Sequence, residues 1–430
     1  MFALKPNSSA GAKCVDAPSE HVIHFQRLLL KLLPDGFLFF CPMKLVVASD
    51  THLNCYYARM SPTQLEQRRW RIRKAFSQTI DYCIQKGVHA YLHAGDLFDM
   101  PDPRMSELTS AVKQFVRLRE AGIPIVGIAG GHDLPRTTAF GIPPQQMLDE
   151  AGLFKFLPAQ TSAASEAAEP VVLESADAKV AVWGISWSHR AEVFEEALRN
   201  LNLPKTGGVN ILLLHAGVEG YMPSASADPI VTLDALRSAK GVDVFIIGHL
   251  HRWAVFPLDG KLVIIPGSTE KFDFGEAENE VGFWCIDIQD REVRAHYERI
   301  EPQPMRVLNV SAEELPNDGP TEALASLVAQ SSAENQLLKL CVVGTITRET
   351  FQRIRWTDIY REGSAKNFHF VLDNYGLQVV GEKLSVQGTP ISVIEEIDLA
   401  AKALQDAAQN HEEEILVTDA RNLLLSKYTR

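Results

Sequence analysis

The chain has 430 residues, a formal net charge of -12, 46% hydrophobic residues and 22% charged ones. That length supports a large core and more than one domain, and the balance excludes a disordered chain, a membrane-embedded one and a broadly basic nucleic-acid coat. A nuclease stays open, because a metal pair can supply positive charge locally.

The six cysteines, Cys14, Cys41, Cys55, Cys83, Cys285 and Cys341, show no paired spacing. Free thiols in a reducing cytoplasm fit this better than a disulfide frame or a zinc knuckle. The longest apolar run, Leu28 to Phe40, is broken by Lys31, Pro34, Asp35 and Gly36, and a membrane span needs ~20 apolar residues. No basic start or small-residue cleavage site marks a secretory signal. Residues 1–42 differ in character from the rest of the chain and are expected to be a dispensable extension, with the working protein beginning at Met43.

Lys44 to Ser49 has the pattern of a buried strand and ends in Asp50-Thr51-His52. On an extended segment, residues i and i+2 point the same way, so Asp50 and His52 are expected to hold one ion together. Pro62 to Lys86 has helical periodicity, with Trp70, Phe76, Ile80 and Ile84 as its apolar face. Its basic run, Arg68, Arg69, Arg71, Arg73 and Lys74, is either a solvated face or a phosphate-backbone contact. Ala90 to Asp99 (AYLHAGDLFD) is the stretch the site is organised around. A buried strand ends at Gly95, which turns the backbone and leaves Asp96 at the strand's edge. A carboxylate there is placed to bridge two ions.

Met105 to Ala121 is a second amphipathic helix. A strand at Ile123 to Ala129 closes in Gly130-Gly131-His132-Asp133. His132 is the candidate general acid or transition-state donor, oriented by Asp99 or Asp133. Ala159 to Glu169 is small and polar, a flexible loop, and strands follow at 171–173 and 180–185. Val209 to Leu214 then runs into His215, and Val242 to Ile247 into Gly248-His249-Leu250-His251. Two histidines at i and i+2 behind a buried strand can ligate one metal or two adjacent ones. Pro266 to Glu270 is a turn whose amides and hydroxyls are candidates to receive a phosphate. Phe283 to Ile288 and Val293 to Tyr297 form a closing pair of strands.

Strands alternating with helices predict an α/β sandwich with its site on the loops at the strand ends. Pro302 and Pro304 mark a linker to a smaller α+β unit, and from Pro390 the chain is helical. There, Ile391, Ile394, Ile397, Ala401, Leu404 and Ala408 form an apolar stripe, suited to internal packing or to docking. No phosphate-cradling Gly-x-x-x-x-Gly-Lys-Ser/Thr occurs, so the common ATPase loop is absent.

In chain order the motifs are D-x-H, G-D-x-x-D, G-x-H-D, a strand-end His and G-H-x-H. This set resembles the calcineurin-like metallophosphoesterase family. The DLFD after Gly95, the GHLH pair and PGSTEKFDFGE are similar to its SbcD-type branch, DNA double-strand break repair nucleases that work with an SbcC-type ABC ATPase. The resemblance implies a four-layer β-sandwich flanked by helices over 43–300. It also implies a smaller α+β DNA-capping domain at 301–388 and helices docking on the ATPase at 389–430. Carried over, it assigns Asp50, His52 and His251 to one metal, His215 and His249 to the other, and Asp96 to both. His132 assists the reaction, with Asp99 or Asp133 behind it. Two divalent ions are implied, Mn²⁺ first and Mg²⁺ or Fe as alternatives. So are a homodimer, placed near Met105 to Ala121, and DNA as substrate. Gly131 departs from the pattern, which has a ligating Asn there. Two other readings are therefore kept: a DNA-end-binding scaffold with a weakened metal site, and a phosphoesterase on nucleotides or phosphoproteins. Met100 after Asp99, where the protein-phosphatase branch has Arg, argues against the last.

Overall fold

The computed structural model describes residues 42–135, 142–157, 169–188, 191–222, 228–380, 393–406 and 411–428. The expected N-terminal extension up to Cys41, the loop at 159–168 and the stripe residues Ile391 and Ala408 lie outside them. No helix among the described residues is long and apolar enough to cross a membrane.

One half of the main body is built from β1 (Met43–Ala48), α1 (Pro62–Lys86), β2 (Ala90–Ala94), α2 (Met105–Glu120), β3 (Ile125–Ile128), α3 (Pro144–Glu150) and β4 (Lys155–Phe156). The other half begins with β5 (Val171–Glu174), β6 (Lys179–Ile185), α4 (Ala191–Asn200), β7 (Val209–His215) and the short β8 (Gly217–Val218) and β9 (Ile230–Val231). It continues through α5 (Leu233–Ser238), β10 (Val244–Gly248), β11 (Ala254–Leu258) and β12 (Lys261–Ile265). The hairpin β13 (Val281–Gln289) and β14 (Glu292–Ile300) returns to the first half.

Two six-stranded sheets result, ordered β14-β13-β1-β2-β3-β4 and β11-β12-β10-β7-β6-β5. In the first, β1 to β4 run parallel; in the second, β6, β7, β10 and β12 do. Side-chain alternation explains the layering. Val46 and Ala48 face α1 and α2, packing with Ile72, Phe76, Ile80 and Phe115. Met43, Leu45 and Val47 face the second sheet, packing with Val180, Ile211 and Ile246. The far side of that sheet packs on α4 and α5 through Phe194, Leu198, Ala235 and Leu236. Helices, sheet, sheet, helices make the expected four layers. Strands covered on both faces carry continuous apolar runs, which is why KLVVAS and VNILLL are legible as strands.

The start of α1 is set locally. Ser61 and Gln64 form a reciprocal capping box and Pro62 opens the first turn, while Gly87 ends the helix in the left-handed conformation at φ 57°. Its basic run divides: Lys74 is exposed and Arg71 half-buried, as on a solvated face, while the others are paired inward. Arg68 and Arg69 are buried. Arg68 pairs with Glu270 at 3.3 Å and with Gln303 Oε1 at 3.1 Å, and Arg69 donates to the Cys55 carbonyl at 3.1 Å. Arg73 bridges Glu107 and Glu66. Trp70, expected on the apolar face, is exposed beneath Lys74. Phe76 and Ile80 are buried as the periodicity predicts, and Arg68 and Arg69 join them on the buried side because carbonyl and carboxylate partners satisfy their charge.

Two further expectations are corrected. Ser268, Thr269 and Glu270 are fully or nearly fully buried, so this turn offers no open phosphate cradle. The Pro302–Pro304 segment is a tied strut rather than a loose linker. Gln303 is buried, its N–H donates to the Glu270 carboxylate at 3.2 Å, and its side chain donates to the Asn335 carbonyl at 3.0 Å. Beyond it lie β15 (Met305–Ser311), α6 (Pro320–Ser331), β16 (Leu337–Thr347), α7 (Arg348–Arg353), α8 (Trp356–Lys366), β17 (His369–Asp373) and β18 (Leu377–Val380). These form a four-stranded sheet with its own core around Leu324, Val328, Leu340 and Ile359.

By compactness the chain divides between Gln378 and Val379. The second unit contains α9 (Val393–Asp406) and α10 (His411–Tyr428), tied to each other by Arg421–Asp398 at 2.7 Å.

Candidate metal centre

Parallel strands deliver their C-terminal ends to one edge of a sheet, and two stacked sheets bring two such edges together. From the first sheet come the loops after β1 (Asp50, His52), β2 (Asp96, Asp99) and β3 (Gly130 to Asp133). The second contributes His215 from the end of β7 and His249 and His251 after β10.

The backbone at these junctions is not extended. Asp50, His52, Asp96 and His249 have φ of 50°, 45°, 53° and 96°, a region that residues with a Cβ rarely occupy and that clusters at functional sites. The convergence of Asp50 and His52 thus comes from left-handed turns rather than from strand pleating. Hydrogen bonds hold the turns in place. Asp50 N–H donates to the Gly95 carbonyl at 3.1 Å, and Thr51 and His52 N–H donate to the Asp96 carbonyl at 2.9 and 3.1 Å. Gly95 is required for the approach, since a Cβ there would collide with the His215 ring.

Three imidazoles turn their Nε2 atoms inward. His52 Nε2 lies 3.1 Å from His251 Nε2, and His215 Nε2 lies 3.1 Å from Asp96 Oδ2. Asp50 Oδ1 sits 3.9, 3.8 and 4.0 Å from the Nε2 atoms of His52, His251 and His215. Asp96 Oδ2 also lies 3.8 Å from His52, so its carboxylate reaches both sides of the cluster. Ligand atoms of Asp50, His52 and His251 gather within 4.8 Å of one another, and so do those of Asp96, His215 and His249. All six expected ligands are brought together, in two groups.

The outward nitrogens are held from behind. His215 Nδ1 bonds the Ala94 carbonyl at 2.8 Å, His52 Nδ1 bonds Asp99 at 3.2 Å, and His251 Nδ1 bonds Glu276 Oε1 at 2.6 Å. This outer bonding fixes the tautomer so that a bare Nε2 faces in, as metal-ligating histidines require. Glu276 was missed in the sequence; its only signal is membership in the PGSTEKFDFGE segment.

The protonation pattern carries the same message. Burial disfavours charge on His215, but Asp96 and Asp50 outweigh it and push the imidazole up to about 9. For His251, burial is outweighed by Glu276 and Asp50, again up to about 9. Burial also opposes charge on Asp96, yet His215 and His52 hold its carboxyl far below the ordinary range. His249, squeezed by burial and by His215, is pushed down to about 4. Two buried carboxylates in close reach of four histidines call for cations. Mixed oxygen and nitrogen donors of this kind fit divalent metals.

His132 stands at the rim with its side chain about half exposed. Its N–H donates to Asp96 Oδ1 at 2.8 Å, and its Nδ1 contacts the Asp99 carbonyl at 3.1 Å. Asp99 is therefore the orienting residue. Asp133 is corrected: its buried carboxylate accepts the N–H groups of Leu97, Phe98 and Gly130 at 3.2, 2.9 and 3.0 Å. Burial, with Asp96 nearby, pushes this carboxyl up to about 6 despite those amides. Asp133 splices two loops together and does not serve the His132 ring.

Gly131 lies against Trp187, and a Cβ at this position would come within 3.1 Å of the indole Cε2. The same indole packs on His249 and His215, with ring centroids 5.1 and 5.7 Å apart. The place beside the second group that a side chain at 131 would enter is occupied by aromatic carbon. Nothing in the sequence pointed to Trp187.

The profile of the calcineurin-like phosphoesterase superfamily domain matches residues 43–291, more than half of the chain. The chain belongs to the calcineurin-like phosphoesterase superfamily. Within it, the chain is 36% identical over 225 residues to the DNA double-strand break repair protein Mre11 of Sulfurisphaera tokodaii, covering 52% of each chain. It is 31% identical to Mre11 of Sulfolobus acidocaldarius, over 64% of this chain and 68% of that one. For Mre11 of Saccharolobus solfataricus the figures are 28%, 73% and 77%. The chain thus spans about half the length of the first of these relatives. A dimetal phosphatase from Danio rerio superposes on 60% of this chain and 96% of its own at TM-score 0.36 and 12% identity, too remote to bear on function. The Mre11 relatives match the branch that the DLFD, GHLH and PGSTEKFDFGE segments resemble.

Proposed function

We propose that this calcineurin-like phosphoesterase is the nuclease subunit of an SbcD-type DNA-repair complex. It hydrolyses phosphodiester bonds as an exonuclease at duplex ends and an endonuclease on single strands, with two divalent ions. The observation that carries this is the arrangement of three inward Nε2 atoms around Asp50 and Asp96, with Asp96 reaching both ligand groups.

Ions held there, Mn²⁺ first given the mixed donors and Mg²⁺ or Fe as alternatives, supply Lewis acidity and an acidified water. Asp50, His52 and His251 hold one side, and Asp96, His215 and His249 the other. The chain's own part in the reaction is then largely positional. Asp99 binds His52 Nδ1 through its carboxylate and His132 Nδ1 through its carbonyl, so one residue aligns a ligand and the rim histidine together. With Nδ1–H given to a carbonyl, the His132 ring keeps Nε2 for a substrate oxygen, and in its imidazolium form it donates there to the phosphate or the leaving group.

DNA is the substrate in this reading, with the 301–388 segment as the capping domain and 389–430 as the docking segment for an SbcC-type ABC ATPase. Leu404, Ile415, Leu416, Leu423 and Leu424 are exposed on α9 and α10, and this is the apolar surface such docking requires. A homodimer and a cytoplasmic location complete the proposal. Gly131 favours one second reading, a DNA-end-binding scaffold, because position 131 adds no ligand to Asp96, His215 and His249, the second group found among the described residues.

The test is degradation of linear duplex DNA with and without Mn²⁺, comparing the parent with His132→Ala and Asp96→Asn. Mn²⁺-dependent degradation that falls ~100-fold or more in His132→Ala, the range of a lost acid–base group, supports the nuclease. A parent that binds duplex ends without degrading them selects the scaffold. Hydrolysis of a mononucleotide but not of DNA selects the phosphoesterase.

A further inference from the structure

We propose that Cys285, His296 and Glu298 form a separate binding site for a thiophilic divalent cation of the Zn²⁺ type, on the β13–β14 hairpin. The two strands pair antiparallel with Cys285 opposite His296 and Phe283 opposite Glu298. Alternation then puts these side chains on one face of the sheet. That face is the one covered by α1, because Phe283 and Cys285 pack with Phe76, Ile80 and Cys83.

One donor atom from each of the three residues lies within 4.8 Å of the other two, and His296 Nε2 is 3.4 Å from Glu298 Oε1. Around a tetrahedral Zn²⁺, with bonds of roughly 2.0–2.3 Å, neighbouring donors stand about 3.3–3.7 Å apart, so the cluster closes with small side-chain movements. A fourth, independent residue orients one of the donors. Tyr82, from α1, donates its hydroxyl to Glu298 Oε1 at 3.0 Å. Its ring is held against Phe283 at 5.0 Å between centroids. Outer-shell support of this sort is what separates a metal site from a chance meeting of side chains.

The donor chemistry sets the ion. Thiolate, imidazole and carboxylate favour Zn²⁺ over Mn²⁺ or Mg²⁺, and three protein ligands leave a fourth position for water. Cys285 is buried while His296 and Glu298 are about half exposed, so the ion enters from solvent and the thiol proton leaves the same way. β14 is the edge strand of its sheet and runs directly towards β15. A cation here fastens that edge to its neighbour. Because the ligands come from paired positions on two strands, no cysteine or histidine spacing in the sequence reveals them.

The other centre has no sulfur among its donors, so sulfur spectroscopy isolates this one. The full chain is titrated with Co²⁺ past saturation of the nitrogen and oxygen sites, following the thiolate-to-cobalt charge-transfer absorption in the near ultraviolet. We expect the band in the parent, competed away by Zn²⁺, lost in Cys285→Ser and retained in Cys341→Ser. His296→Ala changes a half-exposed position on an edge strand, and there we expect at least tenfold weaker binding. No band in the parent, a band that survives Cys285→Ser, or unchanged affinity in His296→Ala would each overturn the proposal.

Discussion

Gly131 sits directly against the Trp187 indole. With a Cβ at 131 only 3.1 Å from the indole, a ligating side chain cannot simply be added to the second group. We predict that Gly131→Asn alone lowers the melting temperature and does not tighten Mn²⁺ binding. Gly131→Asn combined with Trp187→Leu makes room for the amide, and the second ion then binds on the order of tenfold or more tightly, the scale of losing or gaining an oriented group near a metal. Calorimetric Mn²⁺ titration of both variants checks this, and tighter binding in Gly131→Asn by itself would refute it. Residue identity was enough to flag position 131 as a departure, but not to show what fills the space, because Trp187 is 56 positions away in the chain and meets it only through the stacking of the two sheets.

At the scale of the element, α1 is anchored to the rest of the body by buried charge. Arg68 is fully buried between Glu270, Gln303 and the Lys271 carbonyl. Removing one partner of a buried pair leaves the other charged in a poor dielectric, which costs about 3–5 kcal/mol. Arg68→Met is expected to destabilise by that amount in urea unfolding, and adding Glu270→Gln to recover much of it. The effect should be nearly independent of salt, since ions do not screen a pair inside the protein. A solvated arginine face would instead show a loss below about 1 kcal/mol that vanishes in salt. The helix itself was readable from its periodicity. That Arg68 points inward was not, because its partners Glu270 and Gln303 lie more than 200 positions away.

For the whole molecule, the two-sheet stack places a histidine underneath the centre. His93 is fully buried, with Nε2 3.0 Å from Thr51 Oγ1 and Nδ1 without a partner among the described residues. Burial lowers its pKa from 6.5 to about 4. The folded protein therefore takes up this proton later than the unfolded chain does. Above pH 6.5 His93 has no effect on the balance; as pH falls from 6.5 towards 4 the unfolded state binds the proton first and stability declines; below about 4 the loss is complete. With a slope near 1.4 kcal/mol per pH unit the total is about 3 kcal/mol. Urea unfolding with chelator present should show the stability advantage of the parent over His93→Gln shrinking across this window. A gap that stays constant with pH would count against a neutral buried His93.

The sequence by itself determined the strands that lead into the site, the first two helices, the order of the metal-ligand motifs and the superfamily they indicate. These rest on local chemistry: apolar runs for strands covered on both faces, helical periodicity for the helices, and paired donors beside glycines at strand ends. Only the tertiary structure decided that Asp99 rather than Asp133 serves His132, that Glu276 stands behind His251 and that Trp187 closes the space over Gly131. It also decided that part of the basic run of α1 is an internal anchor and that Cys285 meets His296 and Glu298. Each of these depends on which distant segment is brought alongside, through sheet register and the facing of two sheets, and that is a property of the folded whole rather than of any stretch of chain.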